Sequence, residues 1–295
     1  MGKRTVFLAL IFLFWSVTSC HALEWKRLHE KADATGVSAA MEAADKSASL
    51  DDLYVLGLVY LNLHREKEAE EAFNRMKVID PGLIEARWGL AEILRRRHSL
   101  DESERLLNEI IKENSAFTPA YISLAYLRYL KMDFNGSGQL ALSVMNQGMD
   151  AVDQMNVVRA ITMYAGAKGM IAHYGGPLSK AVNGTPVFSY LKKAEKLQPD
   201  SSAALFGLGS FYLLAPGLIG GDIDKALEYL EKAVKADPLF ASVYVRLAQA
   251  YRMKKDETKY QFYLNKALEV DPGNEIALDI QSGRCKFICV GKKGR

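Results

Sequence analysis

The chain lacks a charge imbalance. Its 38 lysine and arginine residues nearly match its 35 aspartate and glutamate residues, so the formal net charge is only +3 over 295 residues. Lys3 and Arg4 lie in an N-terminal segment that we expect to be removed, which leaves 36 basic residues against 35 acidic ones. The short basic groups Arg95–His98 and Gly291–Arg295 are typical of solvated surface charge. We therefore expect no nucleic-acid partner.

Catalytic and metal-binding motifs are also missing. The sequence has no G-x-x-x-x-G-K-[ST], no G-x-S-x-G and no H-E-x-x-H. His64, His98 and His173 each fall where a helix is expected to end, and there an imidazolium complements the helix dipole. Cys285 and Cys289 supply two ligands, and two alone make no closed zinc site. We expect no enzymatic activity, no cofactor and no metal.

The N-terminus resembles an export signal. A positive start, "MGKR", precedes fifteen apolar or small residues, which is signal-peptide architecture and too short for a transmembrane helix. The run ends in "VTSC", which is similar to the bacterial lipobox, whose cysteine becomes the first residue and carries acyl chains. Residues 1–19 are therefore predicted to be a signal peptide and Cys20 the site of a lipid anchor in the membrane. Ordinary cleavage after Ala22, which would discard Cys20, is the alternative.

Export places the two remaining cysteines in an oxidising compartment. Three residues separate Cys285 from Cys289, so the pair can close a small terminal loop through a disulfide. Placement on one face of a short helix and metal binding with outside ligands are the alternatives. A local disulfide is the prediction.

Four prolines reveal a repeat. Pro81, Pro199, Pro238 and Pro272 each follow a helical stretch, and 34 residues separate Pro238 from Pro272. This is the period of the tetratricopeptide repeat, whose pattern is W-x2-L-G-x2-Y, then A-x3-F, then P. The match is close in residues 50–83, 202–240 and 241–274, and the first copy supplies Leu53, Leu56, Gly57, Tyr60, Ala69, Phe73 and Pro81.

Six helix pairs are expected over residues 50–274, with weaker copies at 84–117, 118–151 and 152–201. Small residues such as Gly57 let paired helices approach, and large ones such as Phe73 fill the space between neighbours. Each pair buries its core only against neighbouring pairs, so the array is a solenoid. The sequence predicts an all-α tetratricopeptide-repeat solenoid, preceded by a linker and leading helix over 20–49 and followed by a capping helix and tail over 275–295.

One stripe of the solenoid is poor in charge. The fifth, ninth and twelfth positions of each repeat share a face of the first helix, and there they are largely aromatic or aliphatic. One interpretation is that leading or neighbouring helices cover this face. The other is an apolar groove for a hydrophobic ligand or for an extended segment of a partner, with arginines that receive a carboxylate. The predicted groove residues are Tyr54, Leu58, Trp88, Arg95, Tyr126, Tyr129, Phe206 and Arg252.

Two neighbouring repeats exceed the period. Pro199 to Pro238 spans 39 residues, and the excess lies in the turn "PGLIGG". The preceding pair carries a longer insertion at the equivalent place. Asp222 is predicted to cap the next helix, and an anion site at the same amides is a second interpretation. Insertions of adjacent repeats emerge on one edge, which predicts a binding rim at Gly175, Gly176, Gly220, Gly221 and Asp222.

The stretch "LAPGLIGGDIDKALEYLEKA" resembles the T component (TatT) family associated with bacterial TRAP-type solute transporters. The residues that carry the resemblance are Pro216, Gly220, Gly221, Asp222, Lys225, Ala226, Leu227 and Ala233. The resemblance covers residues 150–275 and implies a periplasmic lipoprotein that works with a substrate-binding protein and assembles as a homo-oligomer.

Two other functions stay open at this point. A scaffold for envelope or pilus assembly would use the same groove on a protein segment. A secreted adaptor would use Asn135 and Asn183 as glycosylation sites, and the lipobox argues against it. The predicted location is the bacterial cell envelope, as a lipoprotein that faces the periplasm, and a soluble exported protein is the alternative.

Overall fold

The computed structural model describes residues 24–288 and 290, and every regular element in that part of the chain is helical. The prediction of an all-α fold is confirmed. The helices are α1 (Trp25–Ala34), α2 (Val37–Ser47), α3 (Leu50–Asn62), α4 (Glu66–Ile79), α5 (Ile84–Arg96), α6 (Leu100–Glu113), α7 (Thr118–Leu130), α8 (Phe134–Ala151), α9 (Gln154–Tyr174), α10 (Pro177–Ser179), α11 (Val187–Leu197), α12 (Ser202–Leu214), α13 (Ile223–Ala236), α14 (Ala241–Met253), α15 (Glu257–Val270) and α16 (Glu275–Gln281).

Helices that follow one another in the chain pack as pairs. The pairs are α3 with α4, α5 with α6, α7 with α8, α9 with α11, α12 with α13, and α14 with α15. In the fourth pair, α10 and a π-helical turn (Lys180–Gly184) replace the tight turn. In the fifth pair, a 3₁₀ turn (Gly217–Ile219) does so.

The segment before the repeats differs from the single leading helix that we expected. It forms two helices, because Thr35 and Gly36 are extended, with φ of −106° and −73°. Both helices contact α3.

Side-chain caps set many helix starts. An oxygen of the capping residue accepts a hydrogen bond from an amide two or three positions later, which satisfies a donor that has no partner within the helix. The residues that do this are Ser49, Asp133, Asp153, Ser201, Asp222, Asp256 and Asn274.

The close approach of helices depends on glycine at two repeat positions. The fully buried Phe73 ring of α4 lies between α3 and α5. A Cβ atom at Gly57 would lie 2.6 Å from this ring, and one at Gly89 would lie 2.5 Å from it. Only a residue without a side chain fits at either place; the repeat pattern predicted this at Gly57, whereas Gly89 lies outside the pattern.

The solenoid turns far enough for its early repeats to contact its late ones. His64 and His98 follow α3 and α5 and adopt left-handed φ values of 54° and 62°. The His64 ring lies 3.1 Å from Asp237, before α14. The two ring nitrogens of His98 lie 2.8 Å from Asp271 and 2.9 Å from Glu275, at the start of α16. These histidines join distant repeats, beyond the helix-end role that the sequence suggested.

Candidate partner-binding surface

Helix α1 covers the first half of the predicted groove. Tyr54 is fully buried and Trp88 is 5% exposed, and Leu58 is buried as well. The imidazole of His29, on α1, lies 5.7 Å from the Tyr54 ring and 5.5 Å from the Trp88 ring, between centroids. An open groove at these three residues was therefore the wrong interpretation, and cover by the leading helix was the right one. Trp25, Leu28, His29 and Ala32 recur at helical spacing and give α1 the face that does this.

A buried chain of hydrogen bonds holds α1 in place. The Asn156 side-chain amide lies 2.7 Å from Asp153 and 3.2 Å from Nδ1 of His29, while Nε2 of His29 lies 2.9 Å from the Tyr54 hydroxyl. This network assigns a neutral imidazole that accepts at Nδ1 and donates from Nε2. Burial lowers the pKa of His29 to about 3, which agrees with a neutral ring.

A cavity of about 30 Å³ lies beside this chain, between α1, α3, α5 and α9. Asp33, Arg96 and Arg159 line it together with His29 and Trp88. Burial raises the pKa of the Asp33 carboxyl to about 6. The volume is about that of one water molecule, so this cavity does not accommodate a hydrophobic ligand.

The two arginines that were predicted to receive a carboxylate already have partners within the chain. Arg95 lies 3.0 Å from the Glu92 carboxylate and places its guanidinium 4.8 Å above the Tyr126 ring, which is half-buried. Arg252 donates to the Tyr260 hydroxyl at 3.0 Å and lies over that ring. The carboxylate of Glu92 already occupies Arg95, so the prediction that Arg95 receives a carboxylate from a ligand was wrong. The partner of Arg252 is a neutral hydroxyl, so binding of a carboxylate there stays a prediction.

Residues 284–288 occupy the second half of the inner surface. Phe287 stacks on Tyr129 of α7, with centroids 6.2 Å apart and rings inclined by 17°. The Gln249 side-chain amide donates to the Ile288 carbonyl at 2.6 Å, and the Tyr174 hydroxyl donates to the Lys286 carbonyl. The main-chain amide of Phe287 donates to Asp279 at 3.0 Å.

Four helices thus hold this segment, namely α7, α9, α14 and α16. The sequence did not predict it, because the tail follows the last repeat and carries no periodic pattern. Phe206, another predicted groove residue, is half-buried on α12 and contacts Phe240 at 5.0 Å instead.

Arg246 of α14 is a buried cation on the same surface. It is 4% exposed, and Nη1 donates to the Gln249 side-chain oxygen at 2.6 Å. Its Nε has no hydrogen-bond partner, and no ion pair within the described part of the chain includes this arginine. Burial lowers its pKa, and the nearby Tyr129 opposes that shift. The sequence signal was weak, since Arg246 lies one position beyond the stripe that was used to predict the groove.

The rim turn has the geometry that its glycines allow. Gly220 adopts φ of 106°, which disfavours side chains, and a Cβ atom at Gly221 would lie 1.9 Å from the Ala215 carbonyl oxygen. The Asp222 carboxylate accepts from the amides of Asp224 and Lys225 at 3.0 and 3.1 Å, so its predicted capping role is confirmed. The same carboxylate occupies the amides that an anion would need, so the anion-site interpretation was wrong.

The two enlarged turns are neighbours, as expected for adjacent repeats. Phe188, after the first turn, contacts Phe211 and Tyr212, before the second, at centroid distances of 5.1 and 5.9 Å. Gly175 caps α9 and Gly176 precedes α10. A role of this edge in binding stays a prediction. Its exposed apolar side chains are Leu178, Val182, Leu218 and Ile219.

The predicted modifications fall largely outside the described residues. Cys20 and Cys289 both lie there, so lipidation and the proposed disulfide pairing stay predictions. Cys285 is disulfide-bonded. Over residues 24–288 and 290, no helix is long and apolar enough to span a membrane. The same residues contain no group of three or more potential metal ligands.

Comparisons with known proteins agree on the repeat. The tetratricopeptide repeat model TPR_16 matches residues 220–259. Human protein O-mannosyl-transferase TMTC1 is 24% identical over 221 residues, which cover 73% of this chain and 22% of that protein. The APC/C hetero-tetramer Cut9–Hcn1 aligns with a TM-score of 0.56 at 15% identity, over 86% of this chain and 47% of that chain. A tetratricopeptide repeat protein from Parabacteroides merdae aligns with a TM-score of 0.51 at 14% identity, over 88% and 97%.

These likenesses concern the fold. The chain spans about a fifth (22%) of the length of the curated relative that it matches. The two solved structures are 15% and 14% identical to this chain. The 34-residue period, the paired helices and the matching family model nevertheless point the same way. The chain contains a tetratricopeptide repeat at residues 220–259, and its fold is an all-α solenoid similar to those of tetratricopeptide-repeat proteins.

Proposed function

We propose that this chain is an exported, non-enzymatic lipoprotein that binds a protein partner. The observation that carries the proposal is the occupied inner surface. There the side chains of Tyr174, Gln249 and Asp279 bond main-chain groups of residues 284–288. Side chains that bond main-chain groups are what the recognition of an extended protein segment requires. A hydrophobic small ligand finds less support, because the cavity beside His29 has the volume of one water molecule.

We further propose that the partner is the substrate-binding protein of a TRAP-type uptake system. The support is the resemblance over residues 150–275, centred on Pro216 to Asp222. That turn lies on an edge with exposed apolar side chains, including Leu218, which is fully exposed. Neighbouring apolar side chains on an exposed edge suit a protein partner better than they suit water. The homo-oligomer and the anchor at Cys20 belong to the same proposal.

The test begins with the gene neighbourhood, which would supply a cognate substrate-binding protein. The purified mature chain is titrated with that protein by isothermal calorimetry. Leu218→Asp with Ile219→Asp is expected to weaken binding tenfold or more, which corresponds to about 1.4 kcal/mol. Val78→Asp is the matched control, because Val78 is also exposed (84%) and apolar but lies on α4.

Absence of binding by the native chain would overturn the uptake role. Binding of a pilus or envelope-assembly component encoded nearby would replace it with the scaffold function. A rim variant that binds as well as the Val78 control would remove the rim from the interface.

A further inference from the structure

Residues 284–288 lie in the solenoid as a ligand would. We define the inner site by the residues that contact or underlie them: Tyr129, Tyr174, Arg246, Gln249 and Asp279. Three of its hydrogen bonds go to main-chain groups, namely the Lys286 carbonyl, the Phe287 amide and the Ile288 carbonyl. Any polypeptide presents those groups. The contact that selects a side chain is the stack of Phe287 on Tyr129.

The chain's own segment enters this site in an unfavourable conformation. Cys285 and Ile288 have φ values of 60° and 68°. The left-handed region is sterically disfavoured for side chains in general and is unusual for a β-branched residue such as isoleucine. Three residues link the end of α16 at Gln281 to Cys285, and this tether constrains how the segment reaches the site. A segment of another protein would not carry that constraint.

The chain's own segment also leaves a charge without a counter-ion. Arg246 is nearly fully buried, and its guanidinium contacts the neutral side chain of Gln249. A buried charge is unfavourable unless it is paired, and a carboxylate is the natural partner of a guanidinium. Gln249 bonds both Arg246 and the Ile288 carbonyl, which places Arg246 on the side of the segment that follows Phe287. A carboxylate one or two residues after the aromatic side chain is therefore the counter-ion that we expect for Arg246.

We propose that the inner site docks an extended segment of a partner protein that presents an aromatic side chain to Tyr129 and a carboxylate to Arg246. Residues 284–288 fill the site until such a segment displaces them. This inference rests on the proposed partner-binding function and names the chemistry of the segment that is bound.

The test uses two fluorescein-labelled peptides on the mature chain, read by fluorescence anisotropy. One is Gly-Arg-Ser-Lys-Phe-Ile-Glu with an amidated C-terminus, and the other has Gln in place of Glu. Phe287→Ala loosens the internal segment and is expected to bind the Glu peptide at least tenfold more tightly than the native chain does. The same variant is expected to prefer the Glu peptide over the Gln peptide at least tenfold. Adding Arg246→Gln should bring that preference close to one.

Equal affinity of the Phe287→Ala chain for the two peptides would overturn the proposal, and so would a preference that survives Arg246→Gln. Circular dichroism checks the folding of each variant, and Arg246→Met serves if the Gln variant loses helicity. The comparison of the two peptides on Phe287→Ala decides the matter without either Arg246 variant. No cognate protein is needed, so a failed peptide preference leaves binding at the rim intact. A failed titration with the substrate-binding protein leaves the peptide result intact.

Discussion

Replacement of His98 by Gln should loosen the contact between the second repeat and the end of the solenoid. The native imidazole lies within hydrogen-bond distance of Asp271 and Glu275, 173 and 177 positions away. An imidazolium donates from both nitrogens at once, whereas a glutamine side chain carries no charge. The variant therefore loses two charge-assisted hydrogen bonds.

The size of the effect follows from the titration of the ring. Hydrogen bonds to Asp271 and Glu275 raise the pKa of His98 from 6.5 to about 10. At about 1.36 kcal/mol per pKa unit, a shift of this size means that His98 contributes at most about 5 kcal/mol to the free energy of unfolding. The imidazole is partly solvent-exposed, so screening by water leaves about 1–2 kcal/mol.

The pH dependence has a definite sign. The folded pKa of His98 lies above its unfolded value of 6.5, so its contribution is complete below pH 6.5 and is lost as the pH rises through about 10. Burial opposes ionisation of Asp271, but the hydrogen bond from His98 prevails and lowers the pKa of that carboxyl below 3.8. The contribution of Asp271 to the free energy of unfolding is therefore present above pH 3.8 and is lost in stronger acid.

Urea titrations followed by circular dichroism measure the difference between the native chain and the variant. We expect about 1–2 kcal/mol near pH 6 and almost none near pH 10.5. His173→Gln is the control, because His173 contacts the Tyr174 ring and no carboxylate within the described part of the chain. An equal loss at both pH values, or an NMR titration of the His98 ring near 6.5, would refute the idea that a charged His98 bonds Asp271 and Glu275.

Two further outcomes are expected. Gly89→Ala places a methyl group 2.5 Å from the Phe73 ring and should lower the free energy of unfolding by about 1–3 kcal/mol, with partial recovery on adding Phe73→Leu. A urea midpoint equal to that of the native chain would contradict this. The pKa of His29 is lowered by burial to about 3, so native stability should fall as the pH drops from 6.5 toward 3. Thermal melts of His29→Gln should show a flatter acid slope, and an unchanged slope would show that His29 is not the group responsible.

The repeats were predictable because they depend on side-chain size and on interactions between residues that are close in sequence. The size of Phe73 and the absence of a side chain at Gly57 appear directly in the sequence, and the structure brings the two together. Asp222 precedes a helical pattern and caps it, because an N-cap depends on only three or four consecutive residues. The tight turn at Gly221 is likewise a local property.

Distant contacts were not predictable in the same way. The stripe through Tyr54 and Trp88 was correctly seen as poor in charge, but its pattern is the same whether a ligand or α1 covers it. The contacts of Arg246 and Phe287 depend on the path of the solenoid, which sums a small rotation at each repeat. A single sequence does not reveal that rotation, so neither the internal segment nor the contact between His98 and Asp271 could be foreseen.

The contacts of His64 and His98 change how this array should come apart. A solenoid with free ends melts from its termini inward, because each terminal repeat is held on one side only. Here the loops after α3 and α5 contact the loop before α14 and the start of α16, so the early and late repeats cannot separate without breaking contacts with each other. We expect a solenoid whose early and late repeats are joined in this way to unfold as a single cooperative unit. Closing it joins residues more than 170 positions apart, which raises contact order and predicts slower folding than an open array of equal length would show.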